Sequence, residues 1–301
     1  MGFTVAAPER FALPKVARSH GWYDLPPFAW DGRELRAVAR AGGRVHDLAI
    51  VQRDGALAVT TSATRAADER ALAATVATML RLDEDLAPLY ALTDGDARLG
   101  YARAHGVGRM LRAPTAYEDV IKMLLTTNCS WSLTRVMVGR LVESLGEPAP
   151  SGARAFPTPA AMAKKGEKFY RDVVRAGYRA PHLAKIARDV AKGRIDPEAW
   201  RSPTVDDEAL RKELLALPGI GPYAADNLLR LLGHYGYLGL DSWCRGKLKR
   251  LYPRIRDVDR FAARRYRPFG AFAGLAMWLD LTKDWHEEDS QEDQEIKRTE
   301  L

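Results

Sequence analysis

A short segment in the last third of the chain restricts the possible folds more than any other: residues 217–222 read Leu-Pro-Gly-Ile-Gly-Pro. Apolar residues repeat at helical spacing on both sides of it, at Leu210 and Leu214 before it and from Ala225 to Leu232 after it. Pro222 suits the first turn of the second helix. The pattern therefore predicts a helix, a tight glycine hairpin and a second helix whose first backbone N–H groups can bind a phosphate.

Two glycines form the predicted turn, Gly219 and Gly221. We expect both positions to require either a positive φ or a bare backbone. After the second helix, a loop rich in glycine and aromatic residues (233–240) ends at Asp241. Asp241 directly precedes a predicted helix over residues 242–251, where an N-cap is expected. A structural cap and a catalytic carboxylate both fit this position.

The hairpin, the loop and the spacing from Tyr223 to Asp241 resemble those of the helix-hairpin-helix DNA glycosylases. The segment AYEDVIKMLLTTNCSW (residues 116–131) is similar to the helix of that family that enters the lesion-probing loop, and GYRAPHLAKIA (177–187) is similar to a later segment. The resemblance covers residues 81–285 and is shared with the 3-methyladenine DNA glycosylase II and 8-oxoguanine glycosylase groups. It implies a two-lobed helical core, with residues 82–112 and 235–301 in one lobe and 113–234 in the other.

Residues 1–81 differ in pattern from the rest of the chain. Asp54-Gly55 separates two partly alternating runs, 45–53 and 56–61, and so predicts a β-hairpin. A helix is expected from Ala66 to Leu82. The predicted fold class is therefore mainly α, with an N-terminal α+β domain. Further along, residues 130–145 predict a long helix with an apolar stripe at Leu133, Val136, Met137, Leu141 and Leu145.

Composition narrows the functional class. The formal net charge is +7, and residues 284–301 hold eight acids and two bases, so the rest of the chain is basic and suits a polyanion whose affinity falls with salt. We expect that acidic tail to be solvated.

Two cysteines, Cys129 and Cys244, cannot ligate an iron–sulfur cluster, and the six histidines lack metal-ligand spacing, which argues against a zinc enzyme. Without an apolar membrane-length run, we expect a cytoplasmic protein.

The resemblance implies a role for each residue of the site. Asp241 is the candidate catalytic carboxylate, which would stabilise a cation-like sugar while the N-glycosidic bond breaks. Tyr223 stands where bifunctional members have a Schiff-base lysine, so lyase activity is not expected. Tyr223, Trp131 and Trp243 are candidates for the base pocket. Packing in the core is the alternative for Tyr223, and it explains Trp131 and Trp243 at least as well. Asn128 matches the residue that enters the duplex, or is an ordinary turn residue.

Contacts to DNA follow from the same resemblance. The N–H groups of Gly219, Gly221 and Tyr223 are expected to hold a phosphate, and Arg245 and Lys247 either face the DNA backbone or form a solvated helix surface. The family also binds an alkali ion, K⁺ or Na⁺, through hairpin carbonyls; the matching carbonyls belong to Leu215, Leu217 and Gly219. No cofactor is otherwise required. We expect a monomer that binds double-stranded DNA containing damaged bases.

Three functional hypotheses remain open. The first is a monofunctional glycosylase of base excision repair that acts on alkylated purines such as 3-methyladenine, whose cationic bases stack well on aromatic faces. The second is an 8-oxoguanine glycosylase. The third is a non-enzymatic DNA-binding protein, since helix-hairpin-helix units also serve as plain anchors on the DNA backbone. Asp241 distinguishes them, because a protein that only binds DNA needs no acid there.

Overall fold

The computed structural model describes residues 1–286. Most of the predicted acidic tail (284–301) therefore lies outside the described residues. Within the described range, none of the helices combines the length and the apolar character needed to span a bilayer.

The N-terminal part of the chain forms an antiparallel five-stranded sheet in the order β1-β5-β4-β3-β2. The strands are β1 (Gly2–Ala6), β2 (Ala29–Trp30), β3 (Leu35–Ala41), β4 (Arg44–Arg53) and β5 (Ala56–Thr61). The predicted Asp54-Gly55 hairpin is confirmed: both residues have positive φ, 48° and 75°, as the tight turn between two twisted strands requires. The strand β1 was not predicted, although Phe3 and Val5 alternate along it with more exposed residues. A short helix, α1 (Leu13–Ala17), follows it.

Thirteen further α-helices make up most of the remaining described chain. They are α2 (Ala66–Leu80), α3 (Ala87–Thr93), α4 (Tyr101–His105), α5 (Ala116–Thr126), α6 (Trp131–Leu145), α7 (Pro159–Ala163), α8 (Glu167–Asp172), α9 (Ala180–Ala191), α10 (Asp207–Ala216), α11 (Pro222–Leu232), α12 (Ser242–Leu251), α13 (Val258–Tyr266) and α14 (Ala273–Leu281). Short 3₁₀ turns join several of them. The predicted fold class, mainly helical with an N-terminal α+β part, is confirmed.

Two large hydrophobic cores hold these elements. The first contains the N-terminal sheet, α2 and the helices from α5 to α11. The second is built from residues 86–110 together with residues 235–281, which are distant in sequence. The domain boundaries at residues 81, 112 and 234 stay a prediction.

Helix α6 corrects one expectation about the core. Leu133 and Val136, which were assigned to its buried stripe, are 41% and 45% exposed. Met137 and Leu141 of the predicted stripe are buried as expected. The buried face of the helix also includes Thr134 and Val138, so it is rotated away from Leu133 and Val136. Thr134 tolerates this burial, since its hydroxyl donates to the Leu125 carbonyl at 3.3 Å.

Candidate functional site

A cleft of about 700 Å³ opens beside the helical hairpin. We call it the aromatic cleft. Its walls come from six separated parts of the chain, namely residue 110 and residues 18–23, 123–134, 223–231, 241–244 and 278–285. Four of the predicted site residues line it: Asp241, Tyr223, Trp131 and Trp243. The structure thus brings the candidate acid and the three candidate pocket residues to one cavity.

Asp241 lies where α12 begins, and its side chain is partly exposed to the cleft. One carboxylate oxygen, Oδ1, accepts a hydrogen bond from the Cys244 backbone N–H at 2.6 Å, so the predicted N-cap is confirmed. Burial and the neighbouring carboxylate raise the pKa of the Cys244 thiol to about 12. The thiol is therefore neutral at pH 7.

Tyr223 stands in the first turn of α11, half-buried on the cleft wall. Burial first, and then the charge of Asp241, raise the pKa of its hydroxyl to about 12. The phenol therefore stays protonated at physiological pH and cannot act as a base or as an amine nucleophile. It offers an aromatic face and a neutral hydroxyl close to Asp241.

The hairpin between α10 and α11 shows why its two glycines differ. Gly219 has a φ of +82°, and a Cβ there would lie 2.7 Å from the His182 ring and 2.8 Å from the Leu124 side chain. Gly221 has a φ of −97°, and a Cβ there would meet nothing within 4 Å. The positive φ that the expectation allowed is found at Gly219. At Gly221 φ is negative, and its need for a bare backbone stays a prediction. Gly221 is the N-cap of α11 and no side chain caps that helix, so its first N–H groups keep room for an outside acceptor.

Tryptophan side chains form much of the cleft wall. The rings of Trp243, Trp278 and Trp285 contact one another, with centroids 5.7–5.9 Å apart. Trp131 stands apart from this cluster, where its Nε1–H donates to Asp24 at 2.9 Å and its ring lies over Gly21. Trp131 and Trp243 remain 38% and 37% exposed, so neither is simply a core residue.

Two further aromatic residues, Trp22 and Tyr23, belong to the wall of the cleft. Trp22 is buried and donates through Nε1 to Asp119 at 2.7 Å, as a core residue would, yet both residues also line the cleft. Behind them, burial lowers the pKa of His20 to about 4. His20 is therefore neutral at pH 7 and contributes no charge to the wall.

Asn128 does not line the cleft but lies exposed in the loop between α5 and α6, with a positive φ of 44°. Its side-chain amide donates to the Tyr178 hydroxyl at 3.4 Å. Tyr178 is itself 50% exposed, and the Arg179 guanidinium stacks over its ring at 4.5 Å. Arg179 also donates to the carbonyl and hydroxyl of Thr127, which fixes this loop. Sequence reasoning missed Tyr178, although a tyrosine after a glycine and before a charged residue is a signal for an exposed turn.

Arg245 and Lys247, which were predicted to contact phosphates, have carboxylate partners within the chain. Arg245 forms a two-pronged ion pair with Asp259 at 2.8 and 2.9 Å and also donates to the Leu240 carbonyl. Lys247 pairs with Asp284 at 2.5 Å. Their role toward DNA stays a prediction. The contact with Leu240 shows a second task, because it secures the backbone directly ahead of Asp241.

Arg230 is a cleft residue that the sequence reasoning did not single out. It is only 2% exposed, and its two terminal nitrogens donate to Asn227 Oδ1 and to the Leu238 carbonyl, both at 2.7 Å. It thereby ties α11 to the loop that carries Asp241. The available signal was an arginine inside the run Leu-Leu-Arg-Leu-Leu (228–232), where a charge interrupts an apolar face.

Metal ligands of the usual side-chain types do not cluster in this site: within residues 1–286, no group of three or more His, Cys, Asp or Glu could hold an ion. Both cysteines are free thiols. At the hairpin, the Leu217 carbonyl accepts one hydrogen bond, from the Ile220 N–H at 3.1 Å. One of its lone pairs therefore remains for a neutral oxygen site of the kind that suits K⁺ or Na⁺.

Comparison with solved structures identifies the fold. The chain superposes on the 3-methyladenine DNA glycosylase of Archaeoglobus fulgidus with a TM-score of 0.73 and 19% identity, over 92% of this chain and 98% of that one. It superposes equally well on the 8-oxoguanine glycosylase/lyase of Clostridium acetobutylicum, with a TM-score of 0.73 and 18% identity, over 93% and 95% of the two chains. The same clostridial enzyme bound to double-stranded DNA gives a TM-score of 0.72. The fold is therefore that of the helix-hairpin-helix DNA glycosylases.

Sequence comparison points to the same class. The chain is 24% identical over 173 residues to a provisionally assigned DNA-3-methyladenine glycosylase of Bacillus subtilis, which covers 56% of this chain and 59% of that protein. It is 25% identical over 214 residues to a provisionally assigned N-glycosylase/DNA lyase of Methanothermobacter thermautotrophicus, which covers 61% and 66%. Both alignments span less than two-thirds of the relative. No protein-family model matches the chain. The resemblance to the helix-hairpin-helix glycosylases, predicted from the motifs, is confirmed.

Proposed function

We propose that this chain is a monofunctional DNA glycosylase that removes a damaged base from double-stranded DNA. One observation carries the proposal: the Asp241 carboxylate, fixed by the Cys244 N–H, faces a cleft with aromatic walls beside the helical hairpin. A flipped base requires a pocket with stacking surfaces, and the sugar attached to it requires a carboxylate at the mouth of that pocket. The related folds and names support the same class of activity.

The proposed reaction uses few groups. As the bond between C1′ and the base nitrogen lengthens, positive charge develops on the deoxyribose, and the Asp241 carboxylate stabilises it. The same carboxylate orients the water that adds to C1′. Tyr223 packs against the flipped nucleotide and, as a protonated phenol, contributes no base of its own.

The hairpin would anchor the strand next to the lesion. The uncapped N–H groups at Gly219, Gly221 and Tyr223 offer donors to one phosphate, and the helix dipole of α11 favours that negative charge. An alkali ion held by the carbonyls of Leu215, Leu217 and Gly219 would add positive charge at the same turn. We expect the protein to bind DNA as a monomer.

For the lesion, we propose alkylated purines such as 3-methyladenine. The tryptophan-rich wall supports this choice, because π faces stabilise a cationic base and such a base leaves without much assistance. Excision of 8-oxoguanine is the second candidate. It is favoured by the loop in which Asn128 contacts Tyr178, because both side chains are exposed and could enter a duplex.

Strand cleavage by a Schiff base is not part of the proposal. Tyr223 replaces the lysine, and the described residues that line the aromatic cleft include no other lysine to take its place. The name of the archaeal relative does include a lyase activity. Strand scission must therefore be measured alongside base release, and scission without added alkali would contradict this part of the proposal.

We further propose that Tyr178 enters the duplex together with Asn128 when the base leaves the stack. An exposed ring held against an arginine is a pre-formed wedge, and unstacking a base pair costs a few kcal/mol that such a wedge can offset.

Tyr178→Ala should slow base release from duplex DNA about tenfold and change release from a single strand little. Leu92→Ala, at an equally exposed apolar residue of α3, is the matched control. Equal loss on both DNA forms would contradict the wedge.

The activity itself is tested with a panel of duplexes, each containing one lesion. We expect the wild-type protein to release free base from at least one of them, and Asp241→Asn to be slower by at least about 100-fold while it still binds the duplex. Asparagine is the matched replacement, since its side-chain oxygen can keep the N-cap on Cys244. Tight binding with no release by either protein would favour a DNA-binding protein without catalysis.

A further inference from the structure

The buried positive charge of Arg230, in the wall of the aromatic cleft, has no role in the steps proposed for Asp241 and Tyr223. Arg230 lines the cleft from α11, and its guanidinium carbon lies 5.4 Å from the centre of the Trp278 ring. Its terminal nitrogens donate to two neutral oxygens, on Asn227 and Leu238. Within the described residues, its Nε–H is buried and has no hydrogen-bond partner. An isolated, incompletely satisfied cation is costly to bury, so a functional cause is expected.

The position of Arg230 in the cleft suggests the reason for burying its charge. Arg230 is placed at the tryptophan wall, where a flipped base would stack, whereas Asp241 is placed at the N-terminus of α12, where the sugar would lie. The two charges attract each other across the site, and no carboxylate within residues 1–286 lies at ion-pair distance from Arg230. Burial lowers the pKa of Arg230, yet an arginine in a protein remains a cation at physiological pH.

We propose that Arg230 is a catalytic residue that promotes departure of the base. The inference rests on the proposed glycosylase function and deepens it. The positive charge of Arg230 at the base and the negative charge of Asp241 at the sugar create a field that favours the movement of an electron pair from the C1′–N bond onto the base.

The charges balance for either kind of lesion. When the C1′–N bond breaks, both electrons stay on the base nitrogen and C1′ becomes positive. The oxygen of a water molecule then bonds to C1′ and its proton passes to solvent by way of Asp241. A neutral base leaves as an anion and takes a proton from solvent, whereas a cationic alkylated base leaves neutral. In both cases the charge on the base falls by one, so a fixed cation beside it lowers the barrier.

The consequence for binding depends on the lesion. A cationic base is repelled by Arg230 before the reaction, and the repulsion disappears as the base becomes neutral. Removal of the charge should therefore tighten binding of that lesion while it slows the chemical step. A neutral base gains attraction only as it becomes negative, so removal of the charge should slow its release without tightening the complex.

The test compares Arg230→Met with Arg230→Lys in single-turnover assays and binding assays. One duplex carries 7-methylguanine, which is cationic, and the other carries hypoxanthine, which is neutral. For Arg230→Met we expect release of each base from the bound duplex to fall about 100-fold, because the charge on the base falls by one in both cases. We also expect about tenfold tighter binding of the 7-methylguanine duplex alone, which a variant that only loosens the loop should not show. Arg230→Lys keeps the charge and should stay within about fivefold of wild type in all of these measurements.

Asn227→Ala is the control for loosening of the loop that carries Asp241, because it removes a partner of Arg230 but not the charge. We expect it to slow both lesions by one common factor. The proposal is overturned if Arg230→Met behaves like Asn227→Ala, or if Arg230→Lys loses as much as Arg230→Met. If wild type releases only 7-methylguanine, the split between tighter binding and slower release decides. If the wild-type protein releases neither base nor any other lesion, the glycosylase proposal itself fails. That outcome is distinct from failure of the Arg230 proposal, because it is measured on the wild-type protein.

Discussion

Asp241 combines a structural and a proposed chemical task in a single side chain. Its N-cap contact with Cys244 could be predicted from its position before a helix, and the structure confirms it. The cap also fixes the direction of the carboxylate, because the oxygen that accepts from the N–H determines where the other oxygen lies. The chemical task could only be inferred from resemblance, since a capping aspartate looks the same in sequence whether or not a substrate meets it.

Arg230 illustrates the opposite case at the same scale. Its presence within a leucine-rich helix face was visible in the sequence, but an arginine there has several ordinary explanations, such as a buried ion pair. Only the structure shows that its partners are neutral oxygens and that a cleft lies against it. Its hydrogen-bond partners are near in sequence, but the cleft wall beside it, including Trp278, comes from segments far away in the chain. No local pattern carries that information.

His20 gives a prediction about stability and pH. Its Nε2 lies 2.5 Å from the Leu111 carbonyl and must donate to it, and burial lowers the folded-state pKa from 6.5 to about 4. As the pH falls from about 6.5 to 4, the unfolded chain therefore binds a proton that the folded chain does not. Stability attributable to His20 is present above pH 6.5 and declines through that window by up to about 3 kcal/mol.

Denaturant unfolding at pH 7.5 and pH 4.5 tests this with His20→Gln, whose amide can still donate to Leu111. We expect the variant to lose less stability than wild type between the two pH values. Other titrating groups, including the buried His286, contribute equally to both proteins and cancel. An identical pH dependence of wild type and variant would show that His20 is not the group responsible.

At the scale of elements, the hairpin between α10 and α11 was the most predictable part of the site. The proline and glycine positions determine where one helix ends and the next begins, and those signals are local. What could not be predicted was the difference between the two glycines. Gly219 is required by packing against His182 and Leu124, which come from other helices, whereas Gly221 faces open space.

That difference predicts opposite outcomes for two alanine variants. Gly219→Ala should destabilise the protein by about 2–4 kcal/mol, since a Cβ would combine a strained φ with a steric clash. Gly221→Ala should cost about 1 kcal/mol or less. It should nevertheless weaken DNA binding about tenfold, because the methyl group would stand where we propose that a phosphate approaches. Thermal unfolding and a duplex-binding titration measure the two effects, and equal effects of both variants on stability would contradict this account of the turn.

Helix α6 shows how an element can be predicted correctly while its buried face is predicted only in part. Its length follows from the sequence, and Met137 and Leu141 are buried as predicted. The sequence contains apolar residues on more than one face, so the periodicity alone did not select the buried one. The structure leaves Leu133 and Val136 exposed near the Asn128 loop, on a surface that the predicted stripe had assigned to the core.

At the scale of the whole molecule, the cleft exists only because distant segments meet. Trp278 and Trp285 reach it from the last described helical part, and residues 18–23 reach it from the N-terminal part. Arg81 holds the junction, since its guanidinium donates to the carbonyls of Met110, Arg230 and Leu231. The sequence predicted four of the residues that line the cleft because they belong to continuous motifs. The remaining wall depends on long-range packing and could not be predicted.

The central claim is that the hairpin delivers Asp241 to the sugar of a flipped nucleotide. A crystal structure of Asp241→Asn bound to a duplex with one damaged base measures this directly. We predict that the base lies in the aromatic cleft, that a phosphate contacts the N–H groups at Gly221 and Tyr223, and that the side chain of residue 241 lies within about 4 Å of C1′. A lesion that stays stacked in the duplex, or a flipped sugar more than about 8 Å from residue 241, would contradict the claim.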